Sequence, residues 1–596
     1  MKTIDLLSAL ACVGAGILLS VLPHLAWWRE VGEPVWVADH DEVFYLQVGS
    51  QAYFNHPVRL ADPVRAETGA SIYKPLPLVP GVLAARAMSL GPQGIGLAWR
   101  IWAGATIGLA WFFLARHFSE GRAGFALALA ILLMADGGLV EGRPLIQQAK
   151  VTARIQQGHT EALFRTKPVI HPQWRISTPG VTMAYLILFV LLVAKARDNP
   201  TLGRIAPAGI AYGLLFHVYF YYWTAATLAL GIVWLFDAGH RKVYLRAGLI
   251  GLAVGLPSLV SDVLTKRATA PDWLLRTDKF LPIGHFRELM LPAGAILIVA
   301  GAGVWVWSRR RDLAFLWSLA TAGLLLTNHQ VATGLQIENF HWIYVWGPCV
   351  SLLIWLLAIR ELGRRSSWSK RALVFVSCAA MLVLSNGLWL RWIEARQSGD
   401  SRALTRSYRS TVDWLQRNPA LALSLKSSAN GVVSGGLEIV DPLTILHNLR
   451  PLDGYAVTLS SSIRNEEWDE RRALNAALRG LSRSSYESAE RLELDRQAWG
   501  PWWRDPALRA DRLNRRLAAF DRFVEGESTV LDTFQVRFFV GKTNPPTIGG
   551  PWKPLNATPT DPLGPDQENW TVWERTLGGS QPLKSQGVET ESQTHR

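Results

Sequence analysis

Long apolar runs recur through the first two thirds of the chain. From Ile4 to about Trp392, stretches of roughly 18 to 22 mostly apolar residues alternate with polar segments, and each is long enough to cross a hydrocarbon core as a helix. This pattern predicts an α-helical polytopic membrane domain over residues 1–393, with about eleven transmembrane helices. The predicted spans are 4–27, 95–115, 123–140, 179–194, 205–221, 223–237, 247–264, 289–307, 313–327, 342–359 and 372–392.

The distribution of basic residues predicts the orientation. Loops rich in Lys and Arg stay in the cytoplasm, and here such residues fall in alternate loops. They are Arg116 and Arg122, then Lys195, Arg197 and Arg204, then Arg241, Lys242 and Arg246, then Arg309 to Arg311, and finally Arg360 to Arg371. With the N-terminus inside and the first span retained as a signal anchor, an odd number of spans places the C-terminal region outside. The outside loops are then 28–95, 142–179, 265–288 and 328–341, and we expect a multi-pass protein of the bacterial cytoplasmic membrane.

The sequence changes character after Trp392. Residues 410–419 and 471–481 have the spacing of amphipathic helices, whereas 430–440, 529–542 and 568–576 have the pattern of strands. We expect an extracytoplasmic α/β or α+β domain over residues 394–577. The polar, aperiodic tail over residues 578–596 is predicted to be disordered.

Composition narrows the class of protein and its partners. The 596 residues are 49% hydrophobic and only 18% charged, far from average soluble usage. The net charge of +14 reflects the basic loops and contact with membrane lipids, because no nucleic-acid-binding motif is present. The three cysteines all fall within predicted spans, so no disulfide framework is expected.

An acidic cluster just after the first apolar run is the main candidate for chemistry. Asp39, Asp41 and Glu42 lie together at the predicted outer membrane surface. Carboxylates are costly near hydrocarbon, so such a group either faces a wet cavity, where it binds a metal or accepts a proton, or lies in an ordinary solvated loop. Asp39 and Asp41 have the spacing of an acidic metal-binding motif, but hard cations take more oxygen ligands than two carboxylates supply. The sequence leaves open whether this site binds a divalent cation or uses no cofactor.

Polar residues in the other outside loops are candidates for the same cavity. A segment over 75–88 is apolar but too short and too rich in Pro to span, so we expect an interfacial or re-entrant helix there. For the polar residues of these loops, the competing explanations are anchoring at the membrane interface and polar hairpins that join two helices. The aromatic run from His217 to Trp223 is typical of an aromatic belt, with a sugar-binding platform as the alternative. The candidates for the donor phosphate or the cavity wall are Lys74, Asp136, His171, Arg175, Asn328, Gln330 and His341.

Transfer of a group from a lipid phosphate needs these residue types. A carboxylate can deprotonate an acceptor hydroxyl, while Arg, Lys, His or a metal offsets charge on the departing phosphate. Arg suits phosphate oxygens because its guanidinium can bind two of them at once.

The chain resembles the GT-C type membrane glycosyltransferases that use polyprenyl-phosphate sugars, including the dolichyl-phosphate-mannose and aminoarabinose transferase families. The resemblance lies in the acidic pair followed by aromatics, Asp41-Glu42-Val43-Phe44-Tyr45, in the loop helices and in the multi-span body, and it covers about the first 390 residues. The segment from Asn328 to Trp342 is similar to one in bacterial relatives, which implies a cavity-lining role. The resemblance implies a general base at Asp41 or Glu42, with Asp39 as a competitor, and a lipid, glycan or protein acceptor.

Other functions remain open at this stage. A lipid-linked glycan polymerase or ligase would use the same outer-face chemistry. A transporter should show polar residues in the middle of its helices and internal repeats, and neither is found. A non-catalytic scaffold would keep the layout and would tolerate loss of the first-loop carboxylates.

Overall fold

A computed structural model describes most of the chain. It covers residues 3–31, 35–55, 60–70, 73–135, 172–176, 179–270, 272–277, 281–282, 285, 293–366, 370–397, 399–428, 430–496, 505–541, 544–556 and 570–575. The molecule is mostly helical, with a small mixed sheet in its C-terminal region.

Within the described residues, each predicted span overlaps a helix, although the break predicted near residue 222 lies between Phe216 and Phe220. Four of the described helices, within Thr3–Arg29, Pro92–Phe118, Ala238–Thr265 and Ala372–Trp392, are long and apolar enough to cross a membrane. The number of eleven crossings stays a prediction, because several other apolar helices are shorter. The helices up to residue 397 are α1 Thr3–Val31, α2 His40–Phe54, α3 Pro75–Ala87, α4 Ile95–Phe118, α5 Ala123–Ala135, α6 Met183–Asp198, α7 Leu202–Phe216, α8 Phe220–Phe236, α9 Arg241–Ala268, α10 Trp273–Arg276, α11 Ala293–Arg309, α12 Ala314–Thr327, α13 Gln330–Thr333, α14 Ile343–Ser366 and α15 Lys370–Gln397.

The surface of these helices is that of a membrane protein. Large apolar side chains are exposed along α1, α9, α11 and α15, including Leu7, Leu256, Leu297 and Leu382. A soluble protein rarely exposes contiguous apolar patches of this kind. These faces are therefore suited to lipid.

Small residues allow the first long helices to pack closely. Gly104 and Gly108 lie one turn apart on α4 and face the backbone of α1. A Cβ atom at Gly104 would lie 2.6 Å from the carbonyl oxygen of Gly16, closer than real contacts. Small residues spaced by four are a common device for close helix packing in membranes, and here they fix α4 against α1.

Two short helices lie in the connection between α1 and α4, which was predicted to be the first outside loop. The predicted interfacial helix over 75–88 is α3, and the acidic cluster begins α2. Trp99 of α4 is buried between them, and its indole N–H donates to the carbonyl of Leu78 at 2.8 Å. Gly49 of α2 and Gly81 of α3 leave room for this ring.

The C-terminal region combines helices with a five-stranded sheet. Its strands run in the order β6-β5-β7-β9-β8, where β5 is parallel to β6 and β7, and β9 is antiparallel to β7 and β8. The strands of the whole chain are β1 Ala61–Asp62, β2 Ala66–Ala70, β3 Leu281–Pro282, β4 Leu335–Gln336, β5 Val432–Gly435, β6 Arg450–Pro451, β7 Val536–Gly541, β8 Trp552–Pro554 and β9 Thr571–Arg575. The remaining helices are α16 Gly399–Arg417, α17 Pro419–Ser427, α18 Leu437–His447, α19 Tyr455–Leu459, α20 Asn465–Leu478, α21 Arg483–Arg496, α22 Pro506–Val524 and α23 Thr529–Thr533.

Two predicted strands are shorter than expected. The strand predicted over 430–440 ends at Gly435, and α18 begins two residues later. The strand predicted over 529–542 begins only at Val536, after the short helix α23. In both places, apolar residues of the predicted strand are buried in a helix instead, because a short apolar run does not distinguish a buried helix from a strand.

Candidate active site

The acidic cluster forms the first turn of α2. Asp39 is the N-cap of this helix, and its side chain accepts a hydrogen bond from the backbone N–H of Glu42 at 2.9 Å. Asp41 and Glu42 follow in the first turn, where negative charge is favoured by the helix dipole. Helix capping and the helix dipole therefore both favour carboxylates at these three positions.

Glu42 lies in a closed, fully buried ion pair. Both of its oxygens accept hydrogen bonds from Arg100 of α4, at 2.5 and 2.7 Å, and one also accepts the backbone N–H of Ala38 at 2.7 Å. His24 Nε2 lies 3.0 Å from the same guanidinium, which stacks over the ring of Trp36 at 4.4 Å. Glu42 therefore connects the start of α2 to the membrane helices.

Asp41 is the carboxylate with partners from distant parts of the chain. Its side chain is 31% exposed; one oxygen pairs with Arg175 and the other accepts a hydrogen bond from the hydroxyl of Tyr455. The guanidinium of Arg175 also lies 3.6 Å from Asp39. The first loop, the second loop and the C-terminal region thus meet at one carboxylate.

The end of α5 holds Arg175 in position. Gln173 donates from its amide to the carbonyls of Leu133 and Met134, at 2.8 and 2.7 Å, and Trp174 donates to Met134 at 3.1 Å. These carbonyls lie at the C-terminus of α5, where a helix leaves them without internal partners. Capping that helix end therefore fixes the segment that carries Arg175.

Burial and charge perturb the titration of these partners. Burial acts to lower the pKa of Arg175, but Asp39 and the neighbouring tyrosines outweigh it and the net pKa is raised. Burial raises the pKa of Tyr455, and the charge of Asp39 adds to this effect. Arg175 is therefore cationic and Tyr455 is a neutral hydrogen-bond donor at physiological pH.

An aromatic wall continues from Arg175. Tyr344 lies close enough to Arg175 to help raise its pKa, and the ring of Tyr344 lies 5.6 Å from that of His341. His341 is hydrogen-bonded through Nδ1 to the hydroxyl of Tyr219, and its ring stacks on Tyr221 at 4.6 Å. The aromatic run around residue 220, predicted as a belt, thus contributes two rings to this wall.

The wall has a second carboxylate and a second group of rings. Tyr221 donates to Glu338 at 2.5 Å, and Glu338 lies 3.8 Å from His341 Nε2. On the other side, Tyr45 lies one turn after Asp41 on α2, and its ring is 5.2 Å from that of Tyr73. Burial raises the pKa of Tyr73, so this phenol stays neutral.

The remaining predicted site residues have other surroundings. Lys74 pairs with Asp262 of α9 and donates to Ser258 at 2.9 Å. Asn328 donates to the carbonyl of Leu324 at 2.9 Å, and Gln330 is buried at the start of α13. Asp136 and His171 lie outside the described residues. The structure therefore brings Asp39, Asp41, Arg175 and His341 into one site, and gives Glu42, Lys74 and Asn328 partners outside it.

The carboxylates of the site make a poor metal centre. Among the residues that the structure describes, no group of three or more His, Cys, Asp or Glu side chains is arranged to hold a metal ion. Asp39 and Asp41 both contact Arg175, and hard cations take six or more oxygen ligands. No catalytic step is therefore assigned to a metal.

Sequence reasoning missed several residues of the site. Arg100 gave a usable signal, because a lone charge inside an apolar span calls for a buried partner. Tyr455 gave none, since it follows an ordinary Asp-Gly turn about 400 residues from the acidic cluster. Its contact depends on how the C-terminal region packs on α2.

Comparisons with known proteins give a partial likeness in layout. No protein-family model matches the sequence, and no curated protein is similar enough to match it. The apo oligosaccharyltransferase of Archaeoglobus fulgidus aligns with a TM-score of 0.46 and 12% identity, over 90% of this chain and 69% of that chain. The archaeal oligosaccharyltransferase AglB from the same organism, in complex with an inhibitory peptide and a dolichol-phosphate, aligns with the same values. At this degree of similarity the alignments carry no argument about function, which has to rest on the residues of the site.

Proposed function

We propose that this chain is an integral membrane glycosyltransferase that transfers a sugar from a polyprenyl-phosphate donor to an acceptor. The supporting observation is that Asp41 contacts both Arg175 and Tyr455 at the end of an apolar helical body. A carboxylate beside a guanidinium and a phenol is suited to proton transfer next to a phosphate.

Asp41 is the proposed general base. Glu42 is enclosed by Arg100 without solvent access, and Asp39 is engaged as a helix cap. Among the described contacts, Asp41 alone of the three touches both Arg175 of the second loop and Tyr455 of the C-terminal region. An acceptor hydroxyl would approach its exposed side.

Arg175 is proposed to change partners during the cycle. Its ion pair with Asp41 occupies one oxygen of that carboxylate, so the base is already engaged before a donor binds. A donor phosphate offers a bidentate acceptor of higher charge, which draws the guanidinium away. Asp41 is therefore released to act as the base only after a donor has bound.

The chemical step follows from these roles. The acceptor oxygen attacks the anomeric carbon while Asp41 takes the acceptor proton. The bond from that carbon to the phosphate oxygen breaks, and the polyprenyl phosphate leaves with the electron pair. Arg175 stabilises the charge that develops on it, and Tyr455 orients Asp41.

The aromatic wall is proposed to receive the sugar. Tyr45, Tyr73, Tyr221 and His341 present ring faces and hydroxyls in a largely buried setting. Such groups bind the apolar faces of a sugar and its hydroxyls together. The cavity or donor-binding roles predicted from the sequence stay proposals for Lys74, Asn328, Gln330, Asp136 and His171.

The outer face of the cytoplasmic membrane is the proposed location of the site. The predicted inside loops meet at the other end of α4, where Arg116 pairs with Asp5 at 2.7 Å and His117 lies 3.4 Å from Asp198. Arg100, which holds the acidic helix, lies near the start of α4. Arg100 and Arg116 are therefore about 24 Å apart along this helix.

The test is transfer of radiolabel from a panel of polyprenyl-phosphate sugars by the purified protein in detergent, with crude cell-envelope acceptors. Wild type is compared with Asp41→Asn and with Asp198→Asn, an aspartate that lies 3.4 Å from His117 at the opposite end. We expect transfer by wild type and the control, and loss in Asp41→Asn. Transfer of preassembled glycans alone would favour a ligase, and no transfer from any donor would favour a scaffold.

A further inference from the structure

An apolar groove opens on the surface of the helical body between α8 and α9. It has a volume of about 200 Å³ and is lined mainly by apolar side chains, among them Leu230, Trp234 and Leu252. Leu245 and Leu249 form its exposed rim on α9. At its base the hydroxyls of Tyr212 and Thr227 lie 2.6 Å apart and satisfy each other.

Two glycines keep the groove open. Gly231 of α8 and Gly248 of α9 both line it. A Cβ atom added at either position would have no neighbour within 4 Å. A larger side chain there would enter open space, so it would fill the groove without displacing the protein around it.

One end of the groove is strongly basic. Arg241 lies over the ring of Trp234 at 5.4 Å and donates from Nε to the carbonyl of that residue at 2.9 Å. Lys242 and Arg246 are exposed on the first turns of the same helix. The nearby Asp237 is buried and bonded to Arg197 at 3.1 Å, so its charge is already neutralised.

We propose that this groove is a binding site for an anionic phospholipid. The acyl chain lies between Gly231 and Gly248, and the phosphate contacts Arg241, Lys242 and Arg246. Basic clusters at the membrane surface attract anionic headgroups, and the apolar groove adds burial of methylene groups.

The site is distinct from the proposed active site. Trp234 lies about 22 Å along α8 from Tyr219, which belongs to the aromatic wall. The groove contains none of the residues assigned to catalysis. The proposal therefore stands whether or not the chain transfers sugars.

Native mass spectrometry of the full chain in mild detergent tests the proposal. The protein is titrated with dioleoylphosphatidylglycerol, and with dioleoylphosphatidylcholine in parallel. The groove variant is Gly231→Leu/Gly248→Leu. Its control is Gly301→Leu, because Gly301 also has open space at its Cβ but lies on α11. A second variant, Lys242→Gln/Arg246→Gln, removes two exposed charges and leaves the hydrogen bonds of Arg241 to the end of α8 in place.

We expect wild type and the Gly301→Leu control to retain phosphatidylglycerol over phosphatidylcholine, and both other variants to retain at least about tenfold less of it. Equal retention of the two lipids, or unchanged retention in the leucine variant, would overturn the proposal. Displacement of phosphatidylglycerol by undecaprenyl phosphate, at equal concentration, would also overturn it and assign the groove to the donor lipid.

Discussion

At the scale of single residues, two adjacent carboxylates have different roles. Asp41 is partly exposed and contacts Arg175 and Tyr455, whereas Glu42 is paired with Arg100 in the interior. Neighbours on a helix differ by about 100° in direction, so such a division of labour follows from helical geometry. Substituting Asp41 and Glu42 one at a time should therefore affect activity and stability differently.

We expect Glu42→Gln to destabilise the protein by about 3–5 kcal/mol, because it leaves the buried charge of Arg100 without a counterion. The measurement is unfolding in detergent, followed by tryptophan fluorescence. Asp41→Asn is the control, with a loss below about 1 kcal/mol, since its partners are partly solvated. Equal losses of unfolding free energy in the two variants would contradict different roles for Glu42 and Asp41.

Tyr455→Phe is expected to lower turnover roughly tenfold or more, because Asp41 loses a hydrogen bond to a charged acceptor, while the KM for the donor changes little. Steady-state transfer assays give both constants. Tyr486→Phe, a buried tyrosine stacked on Phe520 elsewhere in the C-terminal region, is the matched control. An unchanged turnover in Tyr455→Phe would remove the C-terminal region from the proposed active site.

At the scale of elements, α2 connects the membrane helices with the C-terminal region. Gln47 donates to Asp441 at 3.2 Å and to Thr444 at 2.7 Å, and Ser50 donates to the carbonyl of Ile445 at 2.6 Å. All of these groups on α18 are buried. The helix that carries the acidic cluster is therefore positioned from both sides.

This interface should respond to pH through Asp441. Burial, with the nearby charge of Asp453, raises the pKa of Asp441 to about 7 despite the bond from Gln47. A raised pKa means that the folded state binds the proton more tightly than the unfolded state. The stabilisation is complete below the ordinary aspartate pKa of about 3.9 and is lost as the pH rises through about 7.

Asp441→Asn removes this titration. We expect the stability of wild type relative to the variant to fall between about pH 4 and pH 7 and then to level off. Thermal unfolding of both proteins across this range measures the difference. A difference that does not change with pH would show that Asp441 does not titrate in the interface.

Element prediction from the sequence succeeded where the signal is local. Apolar runs identified the long helices, and the Pro-rich segment before Ala87 was correctly predicted as a short helix. The run around Val432 was only partly correct, because strand and helix have similar short apolar patterns. The acidic cluster was found as a group, but which carboxylate meets Arg100 depends on the packing of α2 against α4.

At the scale of the whole molecule, Arg276 joins the loop after α9 to the C-terminal region. Its buried guanidinium donates to the carbonyls of Thr458, Ser460 and Ile463 at 2.9–3.1 Å. The same segment begins with the helix that carries Tyr455. The loop after α9 and the proposed active site are therefore connected through these hydrogen bonds.

Arg276→Gln is expected to weaken this junction by about 3 kcal/mol or more, because three buried carbonyls lose their donors. Limited proteolysis should then release the C-terminal region faster than in wild type. Arg522→Gln, which removes an arginine that is about half exposed, is the control. Equal cleavage rates in the two variants would contradict a structural role for Arg276.

Long-range contacts are what the sequence could not supply. Arg175, Tyr455 and Arg276 act through partners more than 100 positions away, and no local pattern encodes such pairs. Arg175 was nevertheless selected for its chemistry, since a guanidinium beside an outer loop suits a lipid phosphate. Side-chain chemistry thus reduced the number of candidate site residues, and the packing of the fold determines which of them are in contact.

The most direct test of the account is the transfer rate per folded molecule for wild type, Asp41→Asn and Glu42→Gln in one assay. The account predicts that Asp41→Asn is stable but inactive, while the folded fraction of Glu42→Gln, measured at low temperature, retains most of its activity. An active Asp41→Asn, or a Glu42→Gln that is stable and inactive, would contradict the assignment of the general base.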